Sequence, residues 1–207
     1  MAKRPVNNLI GLAVLATLHQ RPMHPYEIAK ILKATGKEHD MSLKWGSFYT
    51  VIGNLEKHGL IAGVESSRSG NRPERTTYRI TPTGLARLLA TIRAIVATPR
   101  REPSEFMAAM SFLVHLDPEE AASQLNLRIH ALTAEIRDRS TALTSATDNV
   151  DRINLIESEY LVAMLTAELQ FTRRLVTEIQ EGALTWDLKT ILRAAAPSRS
   201  AAGNRRK

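Results

Sequence analysis

Nine polar side chains between positions 44 and 75 have the types and spacing to hydrogen-bond a nucleic acid: Lys44, Ser47, Tyr49, Thr50, Asn54 and Lys57, then Arg68, Arg72 and Arg75. Asn54 offers an amide donor–acceptor pair that matches adenine, and the Ser47 and Thr50 hydroxyls suit base edges or phosphate. Lys44 and Lys57 suit phosphate as point charges. Tyr49 carries a hydroxyl that can bond phosphate, and it also reads as a half-buried core aromatic. The three arginines suit the sugar–phosphate backbone or the minor groove. None of this is bond-making chemistry; it is recognition.

These residues need elements to hold them. Residues 44–57 have helical apolar spacing, with Phe48, Ile52 and Leu55 at i, i+4, i+7 facing inward. Gly46, Thr50, Gly53 and Lys57 then face outward, flanked by Ser47, Tyr49 and Asn54. Each of the two glycines costs the helix about 1 kcal/mol against alanine. Two explanations stay open for them: close approach to DNA, or close packing against another helix. The helix stops at His58-Gly59. Two β-prone runs follow, 60–65 and 76–80, around the polar turn Ser66-Ser-Arg-Ser-Gly-Asn-Arg-Pro-Glu-Arg75. Upstream, Asn7 or Asn8 can cap a largely buried helix over 9–20. Arg21-Pro-Met-His-Pro25 is a turn, and Pro25 opens a second helix over 25–35, ended by Gly36. Ser42 suits the cap of the third helix. Helix, turn, helix and a basic hairpin are the layout of a winged helix-turn-helix, which lays a helix in a DNA groove and touches the backbone with the hairpin.

Charge follows the same division. Of the 207 residues, 1–98 carry 14 Lys+Arg against 6 Asp+Glu, a net of +8, and 99–207 carry 14 against 15, a net of −1. The basic excess lies on the half that holds the candidate DNA-reading residues, where phosphate neutralisation needs it. The chain has no cysteine, so thiol nucleophiles, thiolate metal sites and disulfides are excluded. The six histidines, at 19, 24, 39, 58, 115 and 130, form no ligand-spaced pair on one helix face, and no phosphate-cradling Gly-rich loop occurs. An enzyme is therefore disfavoured, and no metal or cofactor is expected. No apolar run approaches the roughly 20 residues of a membrane span, and a cytoplasmic location is expected.

Thr81-Pro-Thr-Gly84 begins a linking helix over 82–97, with Leu85, Leu88, Leu89, Ile92, Ile95 and Val96 as its apolar stripe. Thr98-Pro-Arg-Arg-Glu-Pro103 reads as a boundary, giving a DNA-binding domain at 1–98 and a helical domain at 99–196. In the second domain a short apolar helix covers 104–116. Asp117-Pro-Glu-Glu120 opens a long helix with Leu125, Ile129, Leu132, Ile136 and Leu143 along one stripe. A break near 145–149 precedes a second long helix, from Val150 to about Glu181, ended by Gly182. That helix has two apolar faces: Ile156, Tyr160, Met164, Ala167, Phe171 and Leu175 on one, and Leu155, Val162, Leu165, Leu169 and Val176 on the other. A hairpin offers one partner face, so the first face is assigned to a second copy, with Ile156, Tyr160, Met164, Phe171 and Leu175 at the interface. Packing on residues 184–192 or on the N-terminal domain is the alternative. Trp186 reads as part of a terminal helix, as interface packing or the wall of an effector pocket. Residues 197–207 lack apolar periodicity and read as a disordered basic tail.

The fold class is thus mainly α with a small β-hairpin wing: a winged helix-turn-helix plus a C-terminal antiparallel helical dimerisation domain. The ordered set Leu9-Ile-Gly-Leu-Ala-Val-Leu, Pro22-Met-His-Pro-Tyr-Glu-Ile28, Gly46-Ser-Phe-Tyr49, Leu55-Glu-Lys-His-Gly-Leu-Ile61 and Tyr78-Arg-Ile-Thr-Pro-Thr-Gly84 resembles the PadR family of bacterial transcriptional regulators. The resemblance is close over about 7–90. Pro25 stands where the family usually has glycine, and Thr50 where proline is common. The resemblance implies a homodimeric repressor that binds double-stranded DNA at a palindromic operator. In many members a small-molecule effector releases the operator; phenolic acids and multidrug-type ligands are the known classes. It also supports a place near DNA for Tyr49. The alternatives are a transcriptional activator without a small-molecule ligand and a winged-helix protein–protein interaction module. If the side-chain roles are right, Asn54→Ala relaxes base preference by about 1–3 kcal/mol at one position. Arg72→Ala instead weakens all duplexes alike and lowers the salt slope. Selection from random duplexes and salt titration check the pair, and the reverse pattern refutes the assignment.

Overall fold

The computed structural model describes residues 9–37, 45–67, 75–99, 104–188 and 190, apart from the side chains of 65–67 and 75. The caps expected at Asn7, Asn8 and Ser42 and the tail expected at 197–207 lie outside the described residues. The chain divides into two units, Met1–Arg101 and Glu102–Lys207.

In the first unit, α1 (Leu9–Gln20), α2 (Pro25–Ala34) and α3 (Phe48–Lys57) precede the strands β1 (Ile61–Ser67) and β2 (Arg75–Ile80), and α4 (Pro82–Ala97) follows them. The core is built from Val14, Leu15 and Leu18 of α1, Ile28 and Leu32 of α2, and Phe48, Ile52 and Leu55 of α3, closed by Leu60, Ile61 and Leu88. Each such side chain contributes about 1.5–3 kcal/mol by leaving water. The helix expected to be largely buried is so at Ile10, Gly11, Ala13, Val14, Leu15, Thr17 and Leu18, while Leu9 and Ala16 are exposed. The buried Thr17 hydroxyl donates to the Ala13 carbonyl at 2.8 Å, so its burial leaves no polar group unpaired. Pro25 stands at the start of α2, where its missing N–H has no partner to lose, and His24 Nδ1 accepts from the Tyr26 N–H at 3.1 Å.

The sheet has two strands, paired antiparallel with Ile61 opposite Ile80 and Gly63 opposite Tyr78. The register shifts between Gly63 and Glu65, which leaves Val64 as a bulge. The segment expected as a plain turn, 21–25, does more: Met23 donates to the Tyr78 carbonyl at 2.9 Å and accepts from the Tyr78 N–H at 3.0 Å. Met23 is buried beneath this bridge, which ties the α1–α2 connection to β2.

The start of α4 explains the motif Thr81-Pro-Thr-Gly84. Thr81 caps the helix by accepting from the Gly84 N–H at 3.0 Å, and its hydroxyl also lies 2.6 Å from the Gly59 carbonyl. A Cβ on Gly84 would come within 1.9 Å of the Leu60 carbonyl oxygen. Only glycine lets the helix approach the strand this closely. The apolar stripe expected along α4 is buried at Leu88 alone; Leu89, Ile92, Ile95 and Val96 are exposed.

The second unit is all helical among its described residues: α5 (Glu105–Ser111), α6 (Pro118–Ala146) and α7 (Ile156–Gln180). Three boundaries differ from the sequence reading. The helix expected over 104–116 is α5 followed by a separate 3₁₀ turn, Leu113–His115. The second long helix begins at Ile156 rather than Val150, because a 3₁₀ turn, Arg152–Asn154, intervenes. Trp186 lies outside any helix. Asp117 stands at the cap position of α6, but only its carbonyl bonds into the helix, accepting from the Ala121 N–H at 2.8 Å. Gly182 closes α7 with φ +73°, a left-handed conformation that glycine adopts freely.

Ala122 and Leu125 near the start of α6 pack with Val176 and Ile179 near the end of α7, so the two helices are antiparallel. Trp186 seals this end: its indole N–H donates to the Leu116 carbonyl at 2.8 Å, and its ring packs with the same cluster. Arg128 Nε donates to Glu168 Oε1 at 2.6 Å, and its guanidinium lies 3.7 Å from the Phe106 ring centroid, linking all three helices. If the Gly84–Leu60 approach holds the first unit together, Gly84→Ala costs about 1–3 kcal/mol by overpacking. Urea unfolding checks this, and an unchanged midpoint contradicts the contact.

Candidate nucleic-acid interface

The third helix is entered through a 3₁₀ turn, Trp45–Ser47, rather than as one α-helix from Lys44. The Trp45 ring packs on Phe48 at 5.2 Å between centroids, and the Lys33 ammonium lies 4.9 Å from the Trp45 centroid. Phe48, Val51, Ile52 and Leu55 are buried, so four inward anchors set the rotation of α3. The opposite face is then determined: Tyr49, Thr50, Gly53, Asn54 and Lys57 are all exposed, and Ser47 at the cap position is half-buried.

Tyr49 is not a core aromatic. It is 66% exposed, with its ring edge-on to Phe48 at 5.5 Å, so the core holds the base of the ring and the hydroxyl points away. Among the described residues, Gly46 and Gly53 have nothing within 4 Å of where a Cβ would stand. Of the two explanations for these glycines, packing against another helix finds no atoms among the described residues to support it. Lys44, Arg68 and Arg72 lie outside the described residues; Arg75 is placed by its backbone as the first residue of β2.

The far end of α3 is fixed by its exit. Gly59 adopts φ +66°; the Gly59 N–H donates to the Glu56 carbonyl at 2.8 Å and the Leu60 N–H to the Leu55 carbonyl at 2.9 Å. This is the paired bonding of a Schellman end, and it turns the chain straight into β1. A side-chain tie runs beside it: the Tyr78 hydroxyl donates to Glu56 Oε2 at 3.2 Å. Burial, and then the Glu56 carboxylate, push the Tyr78 phenol above its ordinary value, so it stays a donor at neutral pH.

Two residues were given no role by the sequence reading. Tyr26, in the first turn of α2, is 69% exposed, as bare as Tyr49. Its place in Pro22-Met-His-Pro-Tyr-Glu-Ile28 was the available signal. Glu56 meets Tyr78, 22 positions away, and the spacing between them along the chain gives no hint of the contact.

In the second unit, Ile156, Tyr160, Met164 and Phe171 form an exposed apolar face of α7, with Tyr160 66% and Met164 51% exposed. Leu175 differs: it is half-buried against the Ala122–Ile179 cluster of its own chain. On the other face Leu155, Leu169 and Val176 are buried, together with Thr172, and Val162 and Leu165 are half-buried. Among the described residues no cluster of His, Cys, Asp or Glu could hold a metal ion, and no helix is long and apolar enough to cross a membrane.

Comparison with known proteins adds the family. Residues 14–90 match the transcriptional regulator PadR-like family. No curated protein matches the chain. Among solved structures, the chain is similar to Bacillus subtilis PadR in complex with operator DNA, at 17% identity and TM-score 0.68 over 83% of this chain and 99% of that one. The same protein in complex with p-coumaric acid is similar at 19% identity and TM-score 0.60, over 89% of this chain and 99% of that one. The Vibrio cholerae virulence activator AphA is similar at 17% identity and TM-score 0.60, over 83% and 98%. At such identities the likeness is one of fold, the winged helix. By the match of residues 14–90, the first unit holds a domain of the PadR-like family of transcriptional regulators.

Proposed function

We propose that this regulator is a homodimeric repressor that reads a two-fold symmetric duplex operator with the outer face of α3 and releases it on binding a small molecule. The observation that carries the reading is the cleared face of that helix. Tyr49, Thr50, Asn54 and Lys57 stand exposed around Gly53, which has no described atom within 4 Å of where its Cβ would stand, on the half of the chain with a net charge of +8. A bare glycine lets backbone and short side chains come close to base edges. Asn54 and Thr50 act on bases. Lys44, Lys57, Tyr49 and Ser47 act on phosphate, together with Tyr26 at the start of α2. Arg68, Arg72 and Arg75 serve the hairpin's contacts. The operator complex of Bacillus subtilis PadR shares this fold and supports the reading.

The dimer rests on α7. A continuous exposed stripe of Ile156, Tyr160, Met164 and Phe171 suits a two-fold partner, since the same patch on a second copy is complementary to it. In this proposal the second unit is the dimerisation domain and the first the DNA-binding domain. Binding of a small molecule by this fold has its precedent in the structure with p-coumaric acid. Addition of phenolic acids to an operator complex tests that part by displacement.

Selection of duplexes from a random pool, followed by salt titration, tests the whole. The expected result is a two-fold symmetric site bound by two protomers with a steep salt dependence. Binding without any enriched sequence overturns it and favours a protein–protein module. Repression against activation is read from transcription of a promoter carrying the selected site. Gly53→Ala is expected to stabilise the fold by about 0.5–1 kcal/mol in urea while weakening the selected site. Unchanged affinity refutes the close approach of α3. Met164→Glu is expected to shift sedimentation toward the monomer with the helical spectrum retained, and a persisting dimer refutes the assigned face.

A further inference from the structure

We propose that Glu56 is a positioning residue for operator reading: it clamps the β-hairpin to α3 through Tyr78, and so sets where the hairpin falls on DNA when α3 is docked. The inference rests on the DNA-binding reading above. Glu56 is exposed on α3, next to Lys57 and one turn from Ile52 and Leu60. An acid there opposes binding to a polyanion. Its carboxylate instead faces the hairpin. One oxygen accepts from the Tyr78 hydroxyl at 3.2 Å. The other lies 3.8 Å from where a Gly63 Cβ would stand.

Gly63 and Tyr78 are opposite each other in the strand register, and the bulge follows immediately. Glu56 thus lies over the last regular pair before the register shifts, where a bulged ribbon is freest to bend. Tyr78 is held from the other side as well, by both backbone bonds to Met23. One tyrosine therefore ties β2 to the α1–α2 connection through its backbone and to α3 through its hydroxyl. Burial and the Glu56 charge both favour the neutral phenol, which keeps the donor in place.

Charge and position make opposite forecasts for Glu56→Ala, which is what makes the role testable. Loss of a negative charge alone tightens binding to every duplex. Loss of the clamp weakens the selected site and spares nonspecific binding. The full-length wild type, E56A, E56Q, Y78F and E56A/Y78F are titrated with the selected duplex and with a scrambled duplex of equal length. Hydrogen exchange of the β1 and β2 amides is measured without DNA.

The expected result is an about tenfold loss for the selected duplex in E56A and in Y78F, the size of one hydrogen bond. Scrambled duplex binds unchanged or tighter, the double variant is no worse than either single one, and E56Q, which loses the charge but whose amide oxygen still accepts, binds the selected duplex at least as tightly as wild type. Hydrogen exchange in the strands rises in E56A and Y78F but not in E56Q. The proposal is overturned if E56A binds the selected duplex as tightly as wild type, if the two single losses add, or if strand exchange is unchanged. Absence of any preferred duplex for the wild type sinks the DNA reading instead, and the clamp is then judged on exchange alone.

Discussion

The backbone of Leu60 is where the first unit is fastened together. Its N–H closes the end of α3 on the Leu55 carbonyl, and its own carbonyl accepts from the Thr81 N–H at 3.1 Å. The Thr81 hydroxyl reaches the same carbonyl at 3.2 Å, and Gly84 presses against it from above. Three elements therefore meet at one residue: α3, the strand that begins the hairpin and the helix that follows it. Loosening this point would free the rotation of α3 and the direction of the hairpin together, since only His58, Gly59 and Leu60 lie between α3 and β1.

The two units are built on different balances. The first closes a core from every helix and from the base of the hairpin, with Phe48, Leu55 and Ile28 almost wholly out of water. The second is a helix pair with one buried seam, in which Ala121, Leu125, Leu132, Leu169 and Val176 face inward. Its second apolar face stays bare at Tyr160, Met164 and Phe171. At roughly 25 cal/mol per Å² of apolar area, covering such a face is worth several kcal/mol before ordering costs are counted. The polar links across the seam, Arg128 to Glu168 and Arg173 to Thr133, add register more than stability, because both remain partly in solvent.

The exposed face of α3 was legible because a helix turns through a fixed angle per residue. Once Phe48, Ile52 and Leu55 are recognised as inward, Thr50, Gly53, Asn54 and Lys57 have only one direction left. Tyr49 was ambiguous for the same reason: it lies at the edge of the stripe, where periodicity cannot separate a half-buried ring from an exposed one. The stripe on α4 misled, because apolar spacing marks a face that can be buried and does not say what is present to bury it.

The sequence by itself determined what depends on neighbours within a few positions: the helices, the Gly59 and Gly182 ends, the Pro25 start, the hairpin and the division of charge. These follow from backbone sterics, capping and periodicity, which act locally. Tertiary structure alone decided the bonds that join distant positions. The Met23–Tyr78 bridge, the Tyr78–Glu56 contact and the Trp186–Leu116 bond link residues 22 to 70 positions apart. It also decided that α7 begins at Ile156 and that Gly84 must be glycine. Such features depend on which surfaces come within reach after the chain has folded, and residue spacing along the chain does not encode those distances.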